Sequence, residues 1–422
     1  RQNKYDAIIV GARCAGSPLA MLLARRGARV LVVDRATFPS NIPHGHFIHR
    51  HGPKRLQRWG LLDEIAAAST PVTSMLTDFG DFPLVAHGLE VDGVAWGYGP
   101  RRAALDKILV DAAAGSGAEV REGFNVEEFL FEDGRMVGIR GRGANGAHVE
   151  EQATITVGAD GRNSRLARAA GATAYRQTPP LLCYYFSYWS GVQSEDFELY
   201  TRPAQRRAVF SHRTSEGQFA VFVGLPADEL PAMRADLESS FLRVLDGMDD
   251  LGERVRAGSR EERFFGASDL PNFYRTPYGP GWALVGDAGM HKDPFLALGI
   301  CDALRDAEYL AEAIGDGLEG TREMMDALAR FQQRRDEASD ADYAENLTAA
   351  RLEPLPNQVY AMRAAIRHNT DATRRFMLAR NGMIEPAEAF SPQEMQHLLA
   401  HARSGGAATP SGYTAATSNS HG

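Results

Sequence analysis

Residues 6–34 read DAIIVGARCAGSPLAMLLARRGARVLVVD, and this stretch decides the fold. Ala7 to Val10 is a short apolar, β-branched run of the kind that forms a strand buried on both faces of a parallel sheet. A glycine-bearing turn follows, after which Ala15, Leu19, Leu22 and Leu23 recur at helical spacing and give the predicted helix one apolar face. Pro18 is tolerated in the first turn because N–H groups there lack intrahelical partners. Gly27 stands where the helix must end in a left-handed residue, and Val30 to Val33 is a second buried strand closing at Asp34. The segment is a βαβ unit that opens on a glycine turn.

The composition of the turn points to an anion. The first N–H groups of a helix carry partial positive charge, so a pyrophosphate is stabilised there without a cationic side chain. Gly11 permits the sharp turn and Gly16 the close packing of helix on strand. Asp34 follows Gly11 by 23 positions, near the ~20 expected of a carboxylate that accepts hydrogen bonds from a ribose. Arg13 departs from the pattern by occupying the place of the usual second glycine. The backbone then approaches phosphate less closely, unless the loop shifts or the guanidinium itself makes the contact.

At 422 residues the chain has room for two or three domains' worth of core. A net charge of −8 argues against nucleic acid as a partner. No apolar run approaches the ~18–20 residues of a membrane span. Cys14, Cys183 and Cys301 are too few and too far apart for a disulfide framework or a zinc site. A cytoplasmic location is the expectation, since the first residues lack the apolar core of a signal peptide.

His44, His46, His49 and His51 crowd into eight residues. A metal site is not expected there, because the loop supplies no visible partners to complete such a site and orient the ligating rings. The remaining readings are a polar loop, or one histidine turned toward a ligand. Lys54 to Ile65 is expected as a single helix burying Leu56, Trp59 and Leu62, and Asp78 to Gly99 as strands of a second sheet. Ala118 to Val157 alternates like a β-meander, with hairpin signals at Asp133-Gly134 and Asn145-Gly146. It ends in a second strand-to-helix glycine turn, GADGRNS, at residues 158–164.

Leu181 to Pro226 is rich in aromatic residues and reads as antiparallel strands suited to a planar, greasy ligand. Ala232 to Val255 reads as helical. Trp282 to Val285 is a strand running into a third glycine turn, Gly286-Asp287, and Ala303 to Ile314 is a helix beyond an apolar, proline-bearing loop. Helices follow to about Ala402.

Three turns in this order, G-x-R-x-x-G, GADGRNS and GDAGMHKDP, resemble the fingerprints of flavin-dependent monooxygenases with the p-hydroxybenzoate hydroxylase fold. Geranylgeranyl-reductase-like flavoproteins and flavin halogenases are similar at the same places. The likeness covers roughly the first 350 residues. It implies an α/β fold: a Rossmann-like FAD-binding domain, an interleaved antiparallel-sheet substrate domain and C-terminal helices. FAD-binding segments are expected at 1–75, 101–180 and 276–350, and substrate-domain strands at 76–100 and 181–275. A helical region at 351–403 and a disordered tail at 404–422 complete the chain.

The resemblance also implies site residues. Gly11 and Gly16 would hold the FAD pyrophosphate, with Arg13, Cys14 and Ala15 of the same turn, and Asp34 with Arg35 the adenosine ribose. Arg102, in an Arg-x-x-Leu pattern with Leu105, would contact FAD. Asp160 and Gly161 would couple FAD and nicotinamide binding, and Gly286 and Asp287 would meet the ribityl chain. Pro294, Gly299 and Ile300 would lie beside the isoalloxazine, where a helix start stabilises negative charge.

Phe295, Leu296 and Leu298 make those surroundings greasier than in many relatives, which speaks against a small polar substrate. Lys292, one of four lysines, is expected in solvent, a function inside the loop being the other reading. Halogenation is disfavoured, because no tryptophan lies two residues from another and Ala66 to Gly97 holds no lysine. The implied activity is an NAD(P)H- and O2-dependent monooxygenase that hydroxylates or epoxidises a hydrophobic aromatic or polyketide-like molecule through a flavin C4a-hydroperoxide. Tyr188, Trp189, Phe222, Phe295 and Leu296 are expected to line its substrate pocket, with His46 as the candidate catalytic residue and no metal. The alternative is a reductase that saturates C=C bonds, and a non-catalytic FAD-bound sensor is a third reading. The protein is expected to be a monomer or homodimer.

Overall fold

In the computed structural model, which describes residues 5–404, strand β1 (Tyr5–Val10), helix α1 (Gly16–Arg25) and strand β2 (Val30–Val33) form the expected unit. β1 and β2 pair in parallel, Ala7 opposite Val30 and Val10 opposite Val33. Strand β3 (Glu119–Arg121) extends the sheet in parallel beyond β2. The meander consists of β4 (Asn125–Glu132), β5 (Arg135–Arg142) and β6 (His148–Gly158), antiparallel to one another. The last part of β6 lies parallel to β1 on its other side, and Trp282–Leu284 lies parallel to β6 beyond that. The three strands that end in glycine turns are therefore neighbours in the middle of one sheet, so the turns emerge together at its carboxyl end. Ligands of open α/β sheets bind at that end.

The expected helix 54–65 is two helices, α2 (His51–Trp59) and α3 (Leu62–Ala68), because Gly60 adopts φ +79° and ends the first. Leu56, Trp59 and Leu62 are buried as expected. α4 (Arg102–Gly115) packs against α1. Their shared core covers one face of the parallel sheet through Leu19, Leu23, Leu105 and Leu109.

A second sheet contains β7 (Leu182–Ser190), β8 (Phe197–Arg202), β9 (Arg207–Arg213) and β10 (Phe219–Pro226) in the order β7-β10-β9-β8, continued by the strands Met75–Asp78 and Leu84–Ala86. One face is roofed by three short helices where one helical stretch was expected, Leu230–Ala235, α5 (Leu237–Asp246) and Leu251–Ala257. The other face looks toward the carboxyl end of the first sheet. α6 (Gly299–Glu319) starts four residues before the expected helix and packs against both α1 and α7 (Met324–Ala350). The helices Asn357–Ile366 and α8 (Thr370–Arg380) then close over the second sheet. Fully buried Arg363 anchors this cap, its guanidinium bonding Asp81, Thr77 and the carbonyl of Phe82. The tail reading at 405–422 lies outside the described residues. Among the described residues no helix is long and apolar enough to cross a membrane.

Candidate functional site

The three glycine turns line one cavity of about 1520 Å³. Gly11 adopts φ +109°, and a Cβ there would stand 2.3 Å from the carbonyl oxygen of Ala159, so the first turn touches the second. Gly286 adopts φ +64°, and a Cβ there would stand 2.8 Å from the Cβ of Ala15, so the third turn packs on the first. These contacts tolerate no side chain.

Asp34 lines the cavity and accepts hydrogen bonds from the backbone N–H of Ala12 and of Ala36, both at 2.8 Å. Arg35 and Phe124 line the same end, Phe124 donating its N–H to the carbonyl of Asp34. Asp160 Oδ2 accepts from the N–H groups of Arg165 and Leu166 and caps the short helix after the second turn, and Gly161 beside it adopts φ +77°. Asp287 also lines the cavity.

Arg13 is tied down by a residue that sequence reasoning missed. Asp106, fully buried, takes Arg13 Nη1 at 2.5 Å, Arg102 Nη2 at 3.0 Å and the Cys14 thiol at 3.4 Å. One carboxylate thus holds two guanidiniums against the turn, and burial pushes the Cys14 thiol up to about 12, so it stays protonated. The legible signal was the i, i+4 spacing of Arg102 and Asp106 on one helix.

Farther along, Pro294–Leu296 form one turn of 3-10 helix, and with Gly299 and Ile300 they line the cavity. Buried Asn346 fixes this loop by accepting from the N–H of Leu296 and donating to the carbonyl of Asp293. Asp293 accepts from the N–H of Phe295 and from the hydroxyl of Tyr184. Burial raises its carboxyl to about 6. Lys292 corrects an expectation: it is buried, with Nζ 2.6 Å from Asp302 Oδ2.

Beyond the loop the cavity continues along the second sheet. Phe186, Phe210 and Phe222 line it, and Phe222 stacks on Phe186 at 4.6 Å and on Phe210 at 4.9 Å between ring centroids. Phe295 and Leu296 are on the facing loop. Trp189 is a correction: it belongs to the opposite face of β7, where its ring stacks on Phe241 of α5. Strand alternation sends Tyr184, Phe186 and Tyr188 to one face and Trp189 to the other. Tyr188 is a second correction: it does not line the cavity but stands behind His46, whose Nε2 is 3.1 Å from the Tyr188 hydroxyl.

Of the four clustered histidines, only His51 points away from the cavity. His44, His46 and His49 line the cavity, His49 also bonding the carbonyl of Leu296, while His51 bonds Arg55. His46 also meets His212, another cavity residue missed in the sequence, edge-on at 4.9 Å. Burial, reinforced by His212 and Arg101, holds His46 well below the ordinary histidine range, so its ring is neutral. Burial lowers His212 to about 4 and raises Tyr188 to about 12.

The family described as FAD binding domain matches residues 4–262, more than half of the chain. The chain belongs to this family and is an FAD-dependent oxidoreductase. It is similar to digeranylgeranylglycerophospholipid reductase 2 of Methanopyrus kandleri, at 27% identity over 361 residues, 83% of this chain and 86% of the relative. In fold it is similar to the myxobacterial chondrochloren halogenase CndH, with a TM-score of 0.74 and 21% identity over 96% of this chain and 97% of that one. It is likewise similar in fold to PqsL of Pseudomonas aeruginosa, described as a probable FAD-dependent monooxygenase, with a TM-score of 0.71 and 22% identity over 82% and 96% of the two chains. The cradle fits FAD: three glycine turns lining one cavity, the Arg13 and Arg102 guanidiniums, a carboxylate at Asp34 and a long, partly apolar extension.

Proposed function

We propose that the chain is an NAD(P)H- and O2-dependent monooxygenase acting on a hydrophobic, ring-bearing molecule. The observation that carries this reading is the continuity of the cofactor cradle with a wall of stacked rings, Phe186, Phe222 and Phe210, with neutral His46 facing the same cavity. Gly11, Arg102, Asp160 and Asp287 would hold FAD, with Gly16 packing the turn from behind, and Pro294 and Gly299 would stand beside its ring. When bound, FAD accepts hydride from the nicotinamide and activates O2 for insertion into substrate.

The chain's own residues supply geometry and proton handling. The phenylalanine wall orients a flat substrate and excludes water, which keeps activated oxygen from being lost as H2O2. His46, which lines the cavity and is uncharged at neutral pH, exchanges a proton with a substrate hydroxyl, and Tyr188 fixes the orientation of the ring through Nε2. Turnover under 18O2 tests the reading: one labelled oxygen atom enters the product.

The reductase relative, similar over most of both chains, favours a second reading in which the same cavity holds a long isoprenoid chain and hydride saturates a C=C bond. Product heavier by two hydrogens, with no 18O, selects that reading.

A further inference from the structure

Lys292 stands in the loop between Asp287 and Pro294, yet its side chain runs inward. It is 4% exposed and Asp302 is 6% exposed, with Nζ 2.6 Å from Asp302 Oδ2. Beyond that contact the ammonium has no hydrogen-bond partner. Asp302 lies in the first turn of α6, directly behind Gly299 and Ile300. Its other oxygen takes Arg305 Nη1 at 2.9 Å, and Arg305 is shared with Asp306. His51, His49 and Cys301 also face Asp302; burial lowers His51 to about 3 and His49 to about 4 and raises Cys301 to about 11, so all three are neutral. The buried set therefore balances two cations against two carboxylates.

A structural clamp is poorly served by this lysine. The chain's other deeply buried cations are arginines with several directed bonds, Arg363 holding Asp81 and Arg335 holding Tyr175 among them. Lys292 contributes a compact charge with its donors mostly unspent. The location explains what the charge does. The N-terminus of α6 offers the cavity a partial positive end, and a bare carboxylate in its first turn cancels that field. Lys292 cancels the carboxylate instead.

We propose that Lys292 and Asp302 are a charge pair that sets the reduction potential of the bound flavin. Lys292 is a positioning residue acting through the field at Gly299 and Ile300. The inference rests on the ring lying beside Pro294 and Gly299, as given above. Hydride transfer from NAD(P)H adds two electrons and one proton to the ring and leaves it anionic, so a net charge behind Gly299 shifts the equilibrium directly.

The test is a charge cycle on the FAD-loaded protein, read by equilibration with a redox dye during slow anaerobic dithionite reduction and by sulfite titration of the oxidised flavin. Lys292→Met lowers the potential and weakens sulfite binding about tenfold, the scale of one buried charge acting across several ångströms. Asp302→Asn moves both readouts the opposite way, the double variant K292M/D302N returns toward wild type, and Lys292→Arg stays near it. Shifts of one sign in both single variants, or unmoved potentials in variants that keep flavin, overturn the pair. Should Lys292→Met fail to fold, Asp302→Asn and the double variant still decide the sign. Wild-type protein that takes up no FAD refutes the ring placement beneath the inference, whereas loaded protein with unmoved potentials refutes the pair alone.

Discussion

A Cβ placed on Gly16 would lie 1.8 Å from the carbonyl oxygen of Gly11, so the start of α1 and the turn before it are locked face to face. The obstructing atom is backbone and cannot swing aside. Gly16→Ala is expected to lose flavin and at least about 2 kcal/mol of stability, as overpacking against rigid neighbours does. Visible flavin absorbance after purification and a denaturant midpoint check both.

Asp106 serves two guanidiniums and a thiol from a site with no solvent. Asp106→Asn leaves Arg13 and Arg102 without their shared counter-charge. Breaking a buried ion pair of this kind costs about 3 kcal/mol or more. Urea unfolding of the two proteins measures the difference, and a loss well below 1 kcal/mol contradicts the burial of this carboxylate.

The cavity histidines make the fold acid-sensitive. Burial lowers His49 and His212 to about 4, and holds His46 well below the ordinary histidine range. Their folded values lie below the unfolded 6.5, so the unfolded chain binds more protons between those limits. The stability they contribute is present above pH 6.5 and is lost as pH falls toward 4, by up to about 1.4 kcal/mol per unit for each ring. His212→Phe is expected to flatten the slope by up to one proton, read from unfolding midpoints between pH 7 and 5.

Asp293 titrates with the opposite sign. Its folded value, about 6, stands above the ordinary 3.8 because burial disfavours the carboxylate. The folded protein binds the extra proton, so this contribution is full below about pH 4 and disappears as pH rises through 6. Asp293→Asn keeps an acceptor for Tyr184 and Phe295 while removing the titration. The variant is expected to show a steeper net gain of stability from pH 4 to 6 than wild type, and parallel profiles count against the buried carboxyl.

For His46, replacement by Gln is expected to lower kcat about 100-fold while FAD content stays unchanged, the usual size of a lost proton-transfer group. Steady-state rates paired with flavin absorbance separate that outcome from a folding defect.

Much of this architecture was legible in local patterns. The β1–α1–β2 unit, the three glycine turns and the antiparallel aromatic strands follow from side-chain period and turn chemistry, which are short-range properties. What escaped was set by distant partners. Lys292 read as solvated because Asp302, its counter-charge, comes from the next helix. Trp189 read as a pocket residue because β7 carries aromatics on both faces, so alternation alone named no inward side. Gly60 sat inside an otherwise continuous helical pattern, and its positive φ splits that pattern. Asp106 gained its role only when α1 and α4 brought Arg13 and Arg102 to one carboxylate.

The central claim is that the turns at Gly11, Asp160 and Asp287 grip a single flavin in one cavity. Titration of flavin-stripped protein with FAD, followed by absorbance and calorimetry in wild type and in Gly11→Val, tests it most directly. The expected result is saturation at one FAD per wild-type chain and loss of binding in a Gly11→Val protein. Wild-type protein that binds no FAD, or a Gly11→Val protein that binds it unchanged, would contradict the account.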